Sequence, residues 1–197
     1  LANSLFTYVM QTPNNLDINQ ICTVPGGIAE WATIGDRITW DTQVDYQRSK
    51  CILLWGANQR HNRPPMERAI NIAQSRGAKL ILVDPRPSEQ RDLNQQGLPS
   101  VDIWLRLRPG TDVALALGMI NVIINESLYD QNFVNNWCVG FEELKQRVQD
   151  YPPDKVEEIT WVPKQQIVQA ARLFATVKPA CVHARLGTCS QHINATQ

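Results

Sequence analysis

Residues 51–86 read CILLWGANQRHNRPPMERAINIAQSRGAKLILVDPR, and this stretch decides the fold. Its first five residues form a continuous apolar run, which is typical of a β-strand that is buried on both faces. The Pro-Pro pair at 64–65 can begin a helix, because proline is tolerated in the first helical turn. Gly77 stands where a helix C-cap glycine is expected, and residues 79–83 form a second apolar run. This order predicts a βαβ unit with parallel strands and a right-handed crossover.

The rest of the chain continues the alternation of strands and helices. The turn at 108–112 contains Thr111 and Asp112, and either residue can cap the helix that follows it. The pattern predicts strands at 102–107 and 179–183, and helices over 113–125, 129–137, 141–149 and 164–175. Together these elements predict an α/β fold, in which helices flank a Rossmann-like parallel sheet.

Composition excludes several classes of protein. Lys and Arg together number 19, as do Asp and Glu, so the net charge is zero, which argues against a nucleic-acid tail or a polybasic membrane surface. The apolar runs are far shorter than the roughly 18 residues that a membrane span needs. The five cysteines are widely spaced and form no CxxC pair, so no zinc ribbon or iron–sulfur motif is predicted. The compartment, cytoplasm or periplasm, stays open.

Three loops follow the predicted strands, at the edge of the sheet where ligands bind in open parallel sheets. The residue types in these loops suit a nucleotide. Gly56 lacks a Cβ, so a phosphate or ribose can come close to the backbone, and Asn58 offers a donor and acceptors. Asp84 can accept hydrogen bonds from ribose hydroxyls, and Arg86 can pair with phosphate. Asp112 can accept two parallel N–H bonds, the pattern that the Watson–Crick edge of guanine offers.

Each of these residues also has a purely structural interpretation. Gly56 could only turn the chain, Asp84 with Pro85 forms a common turn, and Asp112 could be only a helix cap. The glycine spacing is not G-x-G-x-x-G, which weakens the case for a nicotinamide dinucleotide. Residues 185–191 form a further polar candidate loop after the last strand. No histidine cluster indicates a metal site, and no catalytic residue can be named.

Four ordered motifs resemble the molybdopterin oxidoreductases of the dimethyl sulfoxide reductase type. The motifs are CILLWGAN at 51–58, GAKLILVDPR at 77–86, WLRLRPGTDVALA at 104–116, and LYD at 128–130 followed by FV at 133–134 and GFEEL at 140–144. The resemblance covers most of the chain from about Thr12 onward. One departure lies in the first loop, where Gln59 stands in place of the proline that usually follows the asparagine in that family.

The resemblance implies a cofactor and the residues that hold it. In that family, this α/β region binds one of two molybdopterin guanine dinucleotides, which chelate molybdenum or tungsten. The implied binding residues are Gly56, Asn58, Asp84, Pro85, Arg86, Pro109, Gly110, Asp112 and Gly187. The first loop would line the dinucleotide, the second would hold its ribose and phosphate, the third would meet the guanine, and Gly187 would lie nearer the pterin and metal.

The resemblance also implies a larger multi-domain molybdoenzyme, of which this chain is a segment that is inactive alone. We expect an irregular lead-in over 1–45 that packs on the core, a dinucleotide-binding α/β domain over 46–180, and a polar loop toward the metal and pterin over 181–197. The metal ligand and any iron–sulfur cluster would belong to the full-length protein and not to this segment. The expected partners are the remaining domains of the enzyme and an iron–sulfur electron-transfer subunit.

The reaction implied by the resemblance is either oxygen-atom or electron transfer on a small substrate, or a non-redox hydration. The sequence over 185–197 favours the acetylene hydratase-like members of the family. Two other classes stay open at this point. One is a different nucleotide-binding Rossmann-type enzyme, and the other is a cofactor-free structural subunit.

Overall fold

The computed structural model describes residues 8–12, 23–35, 44–86 and 101–184. Within these ranges, four parallel strands form one sheet in the order β3-β2-β1-β4. The strands are β1 Cys51–Trp55, β2 Lys79–Val83, β3 Ile103–Leu105 and β4 Ala180–Ala184. The predicted α/β class and parallel sheet are therefore confirmed.

Helices account for most of the remaining described residues. They are α1 Thr23–Ile34, α2 Gln59–Asn62, α3 Pro64–Ser75, α4 Asp112–Asn125, α5 Gln131–Trp137, α6 Phe141–Val148, α7 Pro153–Thr160 and α8 Lys164–Thr176. Among the helices of these described ranges, none combines the length and the apolar character that crossing a membrane requires.

Helices cover both faces of the sheet. Successive residues of a strand point to opposite faces, so neighbouring residues of β1 belong to two different hydrophobic clusters. On one face, Leu54 packs with Ile70 of α3. On the other face, Leu53 belongs to a cluster that includes Leu115 of α4 and Ile167 of α8. All five residues of β1 are buried, which explains why the sequence shows an unbroken apolar run there and not an alternating one.

The strand register brings the carboxyl ends of the strands to one edge. Trp55 is paired with both Val83 and Ala184, and Val83 is paired with Leu105. Since β2 and β3 lie on one side of β1 and β4 lies on the other, the strand order reverses at β1. Ligands of open α/β sheets bind at such a switch point, beyond the carboxyl ends of the strands.

The structure corrects several predicted boundaries. Strand β3 is shorter than the predicted 102–107, because beyond Leu105 the backbone turns to α7, where Arg108 N donates to Thr160 O at 2.8 Å. Strand β4 extends to Ala184, so residues 181–184, which were assigned to the polar loop, belong to the sheet. Helix α1 is a regular element of 12 residues within the lead-in over 1–45, which is predicted to be irregular.

Two helices were missed in the sequence. Helix α7 lies between the predicted helices over 141–149 and 164–175, and it begins at Pro153, since proline is favourable at the first helical position. Helix α2 forms a single turn in the first loop, and Asn58 is its N-cap residue.

Candidate functional site

The first loop begins with a left-handed glycine. Gly56 has φ 58°, a region that favours glycine, and its N–H donates to Val83 O at 2.8 Å. The side chain of Asn58 accepts a long hydrogen bond, 3.5 Å, from His61 N as the cap of α2. The loop is therefore anchored to the end of β2, and Asn58 has a structural role in addition to any role toward a ligand.

The second loop holds a buried carboxylate beside an exposed guanidinium. Asp84 is 3% exposed, and its Oδ1 accepts from Arg86 N at 2.8 Å. The Arg86 Nε atom lies 3.6 Å from the same oxygen, while its side chain is 77% exposed. Side chains from the β3 segment secure the loop, because Trp104 Nε1 donates to Asp84 O at 2.9 Å and Arg106 Nε donates to Pro85 O at 3.2 Å.

The third loop presents the carboxylate of Asp112 at the end of β1. Gly110 has φ 82°, and Thr111 N donates to Arg108 O, which closes the turn. Thr111 takes the N-cap position of α4 without a side-chain cap bond, and Asp112 is the first residue of the helix. Asp112 Oδ1 accepts from Trp55 Nε1 at 2.7 Å, so the carboxylate is fixed by the last residue of β1.

The environment of Asp112 raises the pKa of its carboxyl. Burial is the largest cause, and the negative charge of Asp84 adds to it. The hydrogen bond from Trp55 acts in the opposite direction, because it stabilises the ionised form.

A buried polar cluster lies on the face of the sheet that α3 covers, at the switch point between β1 and β4. His183 Nδ1 shares a short hydrogen bond with the Tyr46 hydroxyl, which accepts from Gln59 Nε2 at 3.2 Å. The exposed fractions are 2% for Tyr46, 2% for Gln59 and 7% for His183. The cluster ties the start of α2 to β4. The only sequence signal for it was Gln59, at the position where the family resemblance predicts proline.

The structure thus brings together predicted site residues from all three loops. Gly56, Asp84 and Asp112 lie at one edge of the sheet, at the ends of paired strands and at the start of the helix that follows the third loop. Gly187 lies outside the described residues. Within the described ranges, no three His, Cys, Asp or Glu side chains group in a way that could hold a metal ion. Sequence reasoning missed Trp55 as the partner of Asp112, because an apolar strand gives no sign of an indole hydrogen bond at its end.

The raised pKa of Asp112 predicts a pH-dependent gain in stability for Asp112→Asn. Because the pKa is higher in the folded protein, the stability linked to this group is complete below its unfolded pKa and is lost as the pH rises through the folded pKa. Asparagine does not ionise, yet it keeps an oxygen for Trp55. In urea unfolding of the cofactor-free protein, the variant should be more stable than the parent at about pH 7, and this difference should disappear near pH 3.

Glu158→Gln provides the control, because Glu158 is an exposed carboxylate on α7. Its effect on the free energy of unfolding should be small at both pH values. An Asp112→Asn variant whose stability relative to the parent does not change between the two pH values would show that burial does not disfavour the ionised carboxylate.

Comparisons with known proteins show which family and which individual proteins the chain resembles. A family model described as molybdopterin oxidoreductase matches residues 3–193. Acetylene hydratase of Syntrophotalea acetylenica is 51% identical over 149 residues, which is 75% of this chain and 20% of that protein. The alpha subunit of the F420-dependent formate dehydrogenase of Methanocaldococcus jannaschii is 34% identical over 181 residues, which is 90% of this chain and 25% of that protein.

A solved structure has the same fold. The acetylene hydratase from Pelobacter acetylenicus superposes with a TM-score of 0.82 at 41% sequence identity, over 97% of this chain and 25% of that chain. The chain thus spans a fifth to a quarter of the length of these relatives. Since the family model matches nearly the whole sequence, the chain belongs to the molybdopterin oxidoreductase family.

Proposed function

We propose that this chain holds the nucleotide arm of a molybdopterin guanine dinucleotide within a longer molybdenum- or tungsten-dependent enzyme. Family membership implies a molybdopterin with one of these metals. The observation that carries the finer proposal is the convergence of Gly56, Asp84 and Asp112 on the carboxyl edge of the sheet. An open parallel sheet binds nucleotides at this edge.

The donors and acceptors at this edge match the parts of a guanine dinucleotide. Gly56 leaves the backbone accessible to a phosphate, and the exposed guanidinium of Arg86 can pair with the same group. The buried carboxylate of Asp84 suits ribose hydroxyls. Asp112 suits the two N–H groups of guanine, and Trp55 holds its carboxylate in one orientation before the ligand binds.

The other proposed contacts shape or extend these loops. Pro85, Pro109 and Gly110 set the backbone of the second and third loops. Asn58 lies two residues after Gly56 in the first loop, and Gly187 is proposed to lie nearer the pterin. When bound, the metal on the pterin would supply the redox or Lewis-acid chemistry. The residues of this chain would bind and orient the nucleotide, which positions the rest of the cofactor.

The reaction of the whole protein is a separate proposal, because this chain spans only a fifth to a quarter of the length of its relatives. We propose a molybdopterin enzyme that carries out either electron or oxygen-atom transfer on a small substrate, or a hydration. The 51% identity to an acetylene hydratase favours hydration. The relative named as a formate dehydrogenase alpha subunit supports further subunits as partners, for which an electron-transfer protein with iron–sulfur clusters is the candidate in a redox enzyme.

Asp112→Ala in the full-length protein tests the proposed guanine contact. We expect the variant to retain the guanine dinucleotide roughly 10- to 100-fold less tightly, because a charge-assisted hydrogen bond contributes roughly 1.5–3 kcal/mol. The measurement is the guanine nucleotide and the pterin released per chain from purified protein, after repeated dilution and concentration. Thermal unfolding of the cofactor-free variant shows that the fold persists.

Unchanged retention in Asp112→Ala would mean that the carboxylate only fixes Trp55 and the start of α4. Analysis of the parent protein tests the cofactor itself. A full-length protein with neither molybdenum nor tungsten and no pterin would refute the proposal. If that protein instead bound a nicotinamide dinucleotide tightly, the alternative of another Rossmann-type enzyme would replace it, and a protein without any nucleotide would support a structural subunit.

A further inference from the structure

Trp161 combines an unfavourable backbone conformation with an exposed indole. It follows α7 with φ 64° and ψ 10°, the left-handed region, where a bulky side chain is costly. Its exposed fraction is 68%, although its neighbours Thr160 and Val162 are completely buried. Strain of this kind persists where the surroundings enforce it, and it occurs often at ligand-binding sites.

The position of Trp161 places its indole beside the third loop. Arg108 N donates to Thr160 O at 2.8 Å, so the end of α7 is joined to the start of the turn that presents Asp112. The guanidinium of Arg108 lies 5.1 Å from the centre of the indole, which is a cation–π distance. Both side chains therefore lie at the turn that leads to Asp112, whose carboxylate is proposed to bind guanine.

We propose that Trp161, backed by Arg108, is the stacking surface for the guanine base of the bound dinucleotide. This inference rests on the proposed function, which puts the Watson–Crick edge of guanine at Asp112. A carboxylate at the edge of a base leaves both faces of the ring exposed, and an aromatic side chain covers such a face well. Arg108 adds a positive charge that favours a nearby phosphate.

The chain offers a discriminating set of variants. Trp161→Gly removes the ring and suits the left-handed backbone, so the protein should fold. Trp161→Phe keeps an aromatic ring. Trp137, the last residue of α5, is 79% exposed and lies outside the three loops, so Trp137→Ala is the matched control for loss of an exposed indole.

The readout is the rate at which purified full-length protein loses guanine nucleotide, measured after acid cleavage of the pyrophosphate and compared with pterin content. Trp161→Gly should lose the nucleotide about tenfold faster than the parent, since stacking of one base on an aromatic ring contributes this order of affinity. Trp161→Phe should stay within about threefold of the parent. Trp137→Ala should match the parent.

Two outcomes would overturn the inference while the proposed function stands. In the first, Trp161→Gly retains guanine nucleotide as long as the parent does. In the second, Trp161→Gly and Trp137→Ala lose it equally, which would assign both indoles to packing against other parts of the protein. A parent protein that contains no guanine nucleotide would instead refute the proposed function, and this inference with it.

Discussion

Leu53→Ala and Leu54→Ala are each expected to lower the free energy of unfolding by about 2–5 kcal/mol. The two residues are consecutive on β1, and their exposed fractions are 4% and 0%. Leu53 packs in the cluster that α4, α7 and α8 contribute to, whereas Leu54 packs in the cluster under α3. Because helices cover both faces of the sheet, each substitution leaves a cavity in a different core.

Urea unfolding of each variant and of the unsubstituted protein measures the loss of unfolding free energy. Val182→Ala on the edge strand β4 is the control, since Val182 is 50% exposed and its truncation should cost less than about 1 kcal/mol. The double variant should show nearly additive losses, because the two cavities share no partners. A loss below 1 kcal/mol for either leucine would mean that a helix layer does not close over that face of β1.

The fold was largely predictable because its signals are local. The unbroken apolar run at Cys51–Trp55 identifies a strand that is covered on both faces, and a Pro-Pro pair marks the start of α3. Gly77, with φ 91°, ends the same helix in the left-handed conformation that the glycine predicted. Helix boundaries elsewhere moved by only one or two residues, which is the range over which helix ends fray.

Helix α7 could not be predicted in this way because its stability depends on distant residues. Val156 of α7 packs against Gly118 of α4, where a Cβ on the glycine would come within 2.8 Å of a Val156 methyl group. The two helices approach closely only because position 118 has no side chain. The Pro-Pro pair at 152–153 is compatible with a helix start, as it is for α3, but the packing against Gly118 cannot be seen in the local sequence.

In the candidate site, too, local sequence patterns predicted some features, whereas other features depend on residues far apart in the chain. The three loops were predictable, because any parallel sheet gathers the carboxyl ends of its strands at one edge. Their internal contacts were not, since Trp55 and Asp112 are 57 positions apart in the sequence. Tyr46 and His183 are 137 positions apart. Hydrogen bonds over such separations depend on the strand order and on the face of the sheet, which local patterns do not specify.

Gly56→Val is expected to abolish most of the retention of the dinucleotide by the full-length protein, with a loss of affinity on the order of 100-fold. The residue adopts φ 58° at the end of β1, where its N–H donates to Val83 O. A β-branched side chain strains this conformation and also occupies the space through which a phosphate would reach the backbone. The strain alone should reduce the free energy of unfolding by roughly 2 kcal/mol.

Gly77→Val separates the two effects of the substitution. Gly77 has φ 91°, an added Cβ would meet nothing within 4 Å, and the residue precedes the amino end of β2, at the opposite edge of the sheet. Gly77→Val should therefore destabilise the fold by about as much as Gly56→Val does. It should leave the amount of bound guanine nucleotide and pterin per folded chain unchanged. If both variants lose the cofactor in proportion to their stability, Gly56 serves the turn alone. If only Gly56→Val loses it, the absence of a Cβ at the end of β1 is what admits the phosphate.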